Sequence, residues 1–133
     1  MRFKIGISGA LFVLFAFSVL THSQAKKIPP VVVKTVPVAG DSAVSPALKE
    51  IRVVFSKPMK DKSWSLNLVD KATFPKITGG IKYLKDRKTL VVPVQLEGGK
   101  QYLVWVNSQK YANFKDTEGN SAVPYLLAFK TKK

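Results

Sequence analysis

An all-β sandwich of about seven strands, wound as a Greek key, is the fold this sequence predicts. Three observations predict it. Short runs rich in Val, Ile, Leu and aromatic residues recur along the chain, each closed by Gly, Pro, Asp, Asn or Ser, at roughly the 8 to 12 residue spacing of sandwich strands. Several runs alternate apolar and polar residues with period two, as a half-buried strand must. The third observation is the stretch Leu90 to Val106, two apolar runs joined by a Gly-Gly corner. Leu96, then Gly98 and Gly99, then Tyr102 at the start of a strand is a pattern suited to a chain crossing between sheets. The glycines supply backbone angles that other residues avoid, and the Tyr ring packs inside while its hydroxyl bonds upstream backbone. That tyrosine corner makes the predicted sandwich immunoglobulin-like.

Along the chain, Lys26 to Pro30 is a basic lead-in kept extended by Pro29-Pro30. Val31 to Val36 reads as an edge strand because prolines flank it. Pro37 to Pro46 is a loop of turn residues, and Ala47 to Glu50 has room for one helical turn. Ile51 to Phe55 alternates, with Ile51, Val53 and Phe55 inward and Arg52 outward. Ser56 to Asp61 breaks that strand. Ser63 to Val69 alternates again, with Trp64, Leu66 and Leu68 on one face. Asp70 to Gly80 is less regular. Ile81 to Leu84 is a short strand leading into the turn at Asp86, and Thr89 to Val94 follows it. Gln101 to Val106 turns Tyr102, Val104 and Val106 to one face and Leu103 and Trp105 to the other. A long connection, Asn107 to Val123, precedes the closing strand Tyr125 to Thr131, where Leu127 and Phe129 face in.

The first 25 residues read as a secretory signal peptide. Arg2 and Lys4 form a positive head, Ile5 to Leu20 is an uncharged apolar run, and Ser23-Gln24-Ala25 offers small residues where a signal peptidase cuts. Cleavage after Ala25 leaves no transmembrane anchor. The expected domains are therefore 1–25, a signal peptide, and 26–133, a single sandwich of the usual size of about 100 residues. The protein is expected to be secreted or periplasmic. The chain has no Cys, so the sandwich must be stable without disulfides.

Composition narrows the chemistry. The only His, His22, lies in the leader, so the mature chain has neither His nor Cys. Ser-His and Cys-His nucleophilic pairs are excluded, as are histidine and thiolate metal sites. The mature chain carries 20 basic against 8 acidic side chains, a net charge of +12. That imbalance favours anionic partners such as glycans or lipid headgroups. Only Arg52 and Arg87 are arginines, whereas specific reading of nucleic acid leans on the Arg fork, so no specific nucleic-acid partner is expected.

The chain also resembles a family. Pro30-Val31-Val32, Thr35-Val36-Pro37, Gly40 and Val44-Ser45-Pro46 are similar to the opening of the SbsA-type bacterial Ig-like domain. Ile51 to Met59, ending in Phe55-Ser56-Lys57-Pro58-Met59, is similar to its second block and Leu96 to Tyr102 to its third. Asp116-Thr117-Glu118-Gly119-Asn120 with Phe129-Lys130-Thr131 is similar to its close. The family usually carries Asp directly after Pro-Met. Here Lys60 holds that place and Asp61 follows. The resemblance implies an exported binding or structural module of the bacterial envelope, with no catalysis, no cofactor and an unidentified envelope protein as one class of partner. Periplasmic copper-resistance carriers share the opening and the Phe-Ser-x-Pro strand end, but their copper site uses histidines, which the mature chain lacks.

Five residues are the binding candidates: Trp105, Lys110, Tyr111, Phe114 and Lys115. Aromatics interleaved with lysines on a loop can stack on sugars or bases above a charged backbone. The alternative is that Tyr111 and Phe114 tuck under the loop and cap the core. Lys57, Lys60 and Lys62, and separately Lys82, Lys85, Arg87 and Lys88, form basic groups able to meet an anionic polymer or lipid. Asp116, Glu118 and Asn120 suit an ordinary turn better than a Ca²⁺ loop, whose full ligand set is missing. Asp61, Asp70, Asp86 and Glu97 could form a carboxylate hydrolase pair only if two of them converge in one cleft. Ser56 with Lys57, or Ser63 with Lys62, makes a poor dyad, because neighbours in a strand point to opposite faces.

Overall fold

The computed structural model describes residues 9–10, 13–18 and 27–133. The predicted cleavage site, Ser23-Gln24-Ala25, and most of the predicted leader lie outside the described residues. Among the described residues the strands are β1 (Val32–Val36), β2 (Glu50–Phe55), β3 (Leu66–Leu68), β4 (Lys76–Ile77), β5 (Lys82–Tyr83), β6 (Thr89–Gln95), β7 (Gln101–Val106) and β8 (Tyr125–Lys130), with a 3-10 turn at Lys71–Thr73. They form two antiparallel sheets. One runs β1-β2-β6-β4, with β5 also on β6; the other runs β3-β7-β8. The predicted Ig-like sandwich is the observed fold.

The core follows from alternation. Ile51, Val53 and Phe55 of β2, Leu90, Val92 and Val94 of β6, and Tyr102, Val104 and Val106 of β7 are all buried. Leu127 and Phe129 of β8 join them. The chain crosses between the sheets at the corner after β6. There Tyr102 is buried and stacks on Phe129, with ring centroids 5.3 Å apart. Its hydroxyl accepts the backbone N–H of Glu97 at 2.8 Å. Gly99 has φ +65, and a Cβ on Gly98 would lie 3.3 Å from the Lys132 carbonyl, so glycine is favoured at both positions of this corner. Thr131, also buried, locks the corner to the closing segment. Its hydroxyl donates to the Glu97 carbonyl and accepts the Lys100 N–H at 2.9 Å. Replacing Tyr102 with Phe should lower stability by about 1 kcal/mol, the usual value of one such bond. Urea unfolding would measure it, and an unchanged midpoint would show that the hydroxyl is dispensable.

Several boundaries differ from the sequence reading. Ala47 to Glu50 is no helical turn: Leu48 N–H donates to the Ser45 carbonyl, and Ala47 N–H to the Ser45 hydroxyl, which closes one β-turn before β2 begins. The strand expected over Ser63 to Val69 is only Leu66–Leu68, because Ser63 turns aside to bond Lys60 and Lys115. The division of this sheet edge into β4 and β5 has its cause in Pro93. Thr78 N–H donates to the Pro93 carbonyl, so the missing Pro93 N–H faces the same outer edge. No ladder bond is possible there. The edge chain breaks at Thr78 to Ile81 into β4 and β5, and Gly79 lies against the Pro93 ring.

Candidate functional site

The loop joining β7 to β8 carries four of the five predicted binding residues. One residue absent from that prediction organises it. Asn107 follows β7 with φ +58 and is completely buried. Its side-chain amide donates to the carbonyls of Phe114 at 3.1 Å and Ala122 at 3.0 Å. Its oxygen accepts the Phe114 N–H at 2.8 Å. The loop is thereby folded back over the open end of the sandwich. The sequence signal was an Asn directly after an alternating strand, since Asn tolerates the left-handed region.

The five candidates separate. Phe114 is wholly buried and packs on Phe55, with ring centroids 5.4 Å apart, so it caps the core and has no surface for a ligand. Tyr111 is 55% exposed, with the Lys110 ammonium 5.4 Å from its ring centre. Lys110, Tyr111 and Lys115 line one shallow open depression with Asn113 and Ser121. Trp105 lies outside it, on the outer face of the three-stranded sheet between Asn67 and Leu126, and lines a separate depression with Gln109 and Pro124. Lys110, Tyr111 and Lys115 thus share one place, and the other two do not.

The second organising group joins two segments far apart in sequence. Asp116 is buried, and both carboxylate oxygens are occupied. Oδ1 accepts N–H groups from Glu118 and Asn120; Oδ2 accepts Lys57 Nζ at 2.8 Å and Asn120 Nδ2 at 3.0 Å. Burial alone would raise the Asp116 pKa. The Lys57 ammonium, the Asn120 side chain and the two backbone N–H groups outweigh it and hold the carboxyl at about 2. Lys57 is raised in turn, first by its bond to Asp116. Its ammonium also donates to the Ile28 carbonyl at 3.0 Å, tying the lead-in segment to the same point. Met59 bridges to Asp116, and Lys60 N–H donates to the Lys115 carbonyl. The Ser56 to Met59 block and the Asp116 to Asn120 turn therefore form one structural knot. Lys57 is part of that knot, and not of a free basic group with Lys60 and Lys62.

The remaining candidates are each tied to local structure. Asp61 accepts the Lys62 N–H, Asp70 caps the 3-10 turn at Thr73, Asp86 holds Thr89, and Glu97 lies 3.3 Å from Lys100. Asp61 and Glu97 line separate depressions. Ser56 accepts the Val31 N–H while Lys57 turns to Asp116, and buried Ser63 donates to backbone carbonyls. The Tyr83 hydroxyl, pushed up to about 12 by burial, stays protonated and donates to the Ser63 carbonyl. Among the described residues no three acidic side chains gather in a metal-ligating group, and no helix is long and apolar enough to cross a membrane.

A family model described as "Bacterial Ig-like domain" matches residues 26–131. Among solved structures, "Structure of surface layer protein SbsC, domains 1-6" overlays with a TM-score of 0.50 at 22% identity. "Crystal structure of the S-layer protein rSbsC(31-844)" overlays at 0.49 and 23%. Each overlay covers 80% of this chain and 14% of the other, and at such identity the likeness is one of fold. No curated protein matches the chain.

Proposed function

The chain belongs to the bacterial Ig-like domain family, and from that premise we propose that it is an exported, non-catalytic structural and binding module of the bacterial envelope. The observation that carries this reading is the use made of the polar loop groups. Asn107, Asp116, Lys57 and Ser63 are all engaged in holding the loops to the sandwich. Export draws its support from the charged head, apolar run and small residues of 1–25. The finer resemblance to SbsA-type domains rests on the four sequence blocks. Two of them, Ser56 to Met59 and Asp116 to Asn120, meet in space.

A second reading, electrostatic attachment to anionic envelope polymers or lipids, is favoured by the net charge of +12 on residues 26–133. Purified 26–133 should bind isolated cell envelopes at low salt. Loss of binding at high salt would assign attachment to exposed charge. Binding that persists would assign it to a specific protein partner, met by the Tyr111 depression or by a sheet edge. Absence of binding at either salt would overturn the envelope-module reading. Expression of the full chain with its leader should yield a protein beginning at Lys26, and an intact N-terminus would overturn export by cleavage.

A further inference from the structure

The two outer faces of the sandwich differ in charge. On the five-stranded sheet the outward residues are fixed by the pleat, since Leu90, Val92 and Val94 face in. Strand pairing then places Lys34 (opposite Val54), Arg52 and Lys82 (both opposite Val91) and Lys76 (opposite Gln95) on the outer face. All four are exposed. Each stands on a different strand, so a band of cations crosses the sheet. Arg52 and Lys82 flank Val91 at two strand spacings, about 10 Å, and Lys76 lies about 13 Å further along β6. Val91 is buried on this outer face, paired with Arg52 on one side and Lys82 on the other. The one acid on the face, Glu50, lies 2.7 Å from Arg52. At the end of the sheet the Asp86 carboxylate bonds Thr89 within its own turn, beside Lys85, Arg87 and Lys88. On the three-stranded sheet the outward set is Asn67, Leu103, Trp105, Leu126 and Ala128, with Gln101 opposite Lys130 as the last pair.

We infer that the outer face of the five-stranded sheet is the docking surface for a linear, carboxylate-bearing polysaccharide. The central strands of this sheet pair on both sides, so a partner lying across them meets side chains and not free backbone. The cations are single charges spread several ångströms apart. That matches the repeating, spaced carboxylates of an extended sugar polymer better than one dense phosphate group. Lysine ammoniums are point charges without the bidentate fork suited to a phosphate. The face carries no exposed aromatic ring to enter a bilayer interface. The inference deepens the envelope reading by naming the polymer class. It is tested on purified protein, so its failure leaves the export and envelope tests untouched.

The probe is polygalacturonate, titrated against 26–133 at low salt. The variant Lys34→Gln, Arg52→Gln, Lys76→Gln, Lys82→Gln keeps the side-chain stems near Val91 and removes the four charges. It should bind about ten-fold or more weakly, since several exposed pairs of a few tenths of a kcal/mol each act together. A control with the same charge change placed off the sheet, Lys62→Gln, Lys71→Gln, Lys132→Gln, Lys133→Gln, should lose about three-fold or less. Glu50→Gln, which frees Arg52, should tighten binding. Equal losses in the two quadruple variants would overturn the inference by assigning binding to net charge alone. So would an unchanged affinity in the sheet-face variant, or preferential capture of anionic lipid vesicles through the same four residues.

Discussion

Asn107→Ala should lower the unfolding free energy by about 3 to 5 kcal/mol, the largest effect expected of any single substitution in the loops. Three hydrogen bonds end on this side chain, and all three partners are backbone groups inside the fold. Truncation leaves the Phe114 N–H and the Ala122 carbonyl buried without partners, at about 1 kcal/mol or more each, while the Phe114 carbonyl keeps only the Ala122 N–H. Alanine at φ +58 adds a steric cost of about 1 kcal/mol. Asn107→Gly separates the two contributions. It removes the same hydrogen bonds but accepts the backbone angle, and should be less damaging than Ala by about 1 kcal/mol. Urea unfolding of both variants measures this. A loss under 1 kcal/mol for Ala would show that packing of Phe114, and not Asn107, holds the loop in place.

Asp116→Ala should cost about 3 kcal/mol and also change the response to acid. The substitution removes four accepted hydrogen bonds and leaves Lys57 without its counter-charge in a partly covered place. In the native protein the Asp116 carboxyl takes up a proton only near pH 2. In the unfolded chain an Asp does so near the ordinary value of about 3.9. Between these values the unfolded state holds more protons, so falling pH favours it. The stabilisation from Asp116 is thus complete above about pH 4 and is lost as pH falls towards 2. Asp86, lowered first by its bond to the Thr89 hydroxyl, acts in the same direction. The Ala variant should therefore be less stable at neutral pH yet show a shallower decline in acid. Parallel acid profiles for the two proteins would remove Asp116 as the source of the slope.

Much of this architecture was legible because local chemistry and global fold agree. Period-two alternation identified the inward faces of β2, β7 and β8. The Leu96 to Tyr102 pattern identified the crossing between sheets, down to the hydroxyl bond. These features depend on residues within a few positions of each other. The break between β4 and β5 was less accessible, since it follows from which edge of β6 the Pro93 nitrogen faces. Lys57 and Asp116, 59 positions apart, were separately visible as part of a basic group and as part of a turn. Nothing in either segment says that they pair.

The candidate surface divides along the same line. An aromatic on a polar loop looks the same in sequence whether it faces water or the core. Phe114 and Tyr111 are three residues apart; Asn107 and the Phe55 ring hold the first inside, while Ser65, Asn67 and Ser108 bond the backbone of the second and leave its ring exposed. The basic band on the five-stranded sheet combines Lys34, Arg52, Lys76 and Lys82, which no sequence window contains together. The sequence by itself determined the longer strands, their inward faces, the corner and the overall charge, because these arise from side-chain alternation, turn chemistry and composition. Only the tertiary structure decided which charges share a face, which acid is neutralised and which aromatic is available. Those outcomes depend on strand pairing across long separations, and the pairing is set by packing the whole core at once.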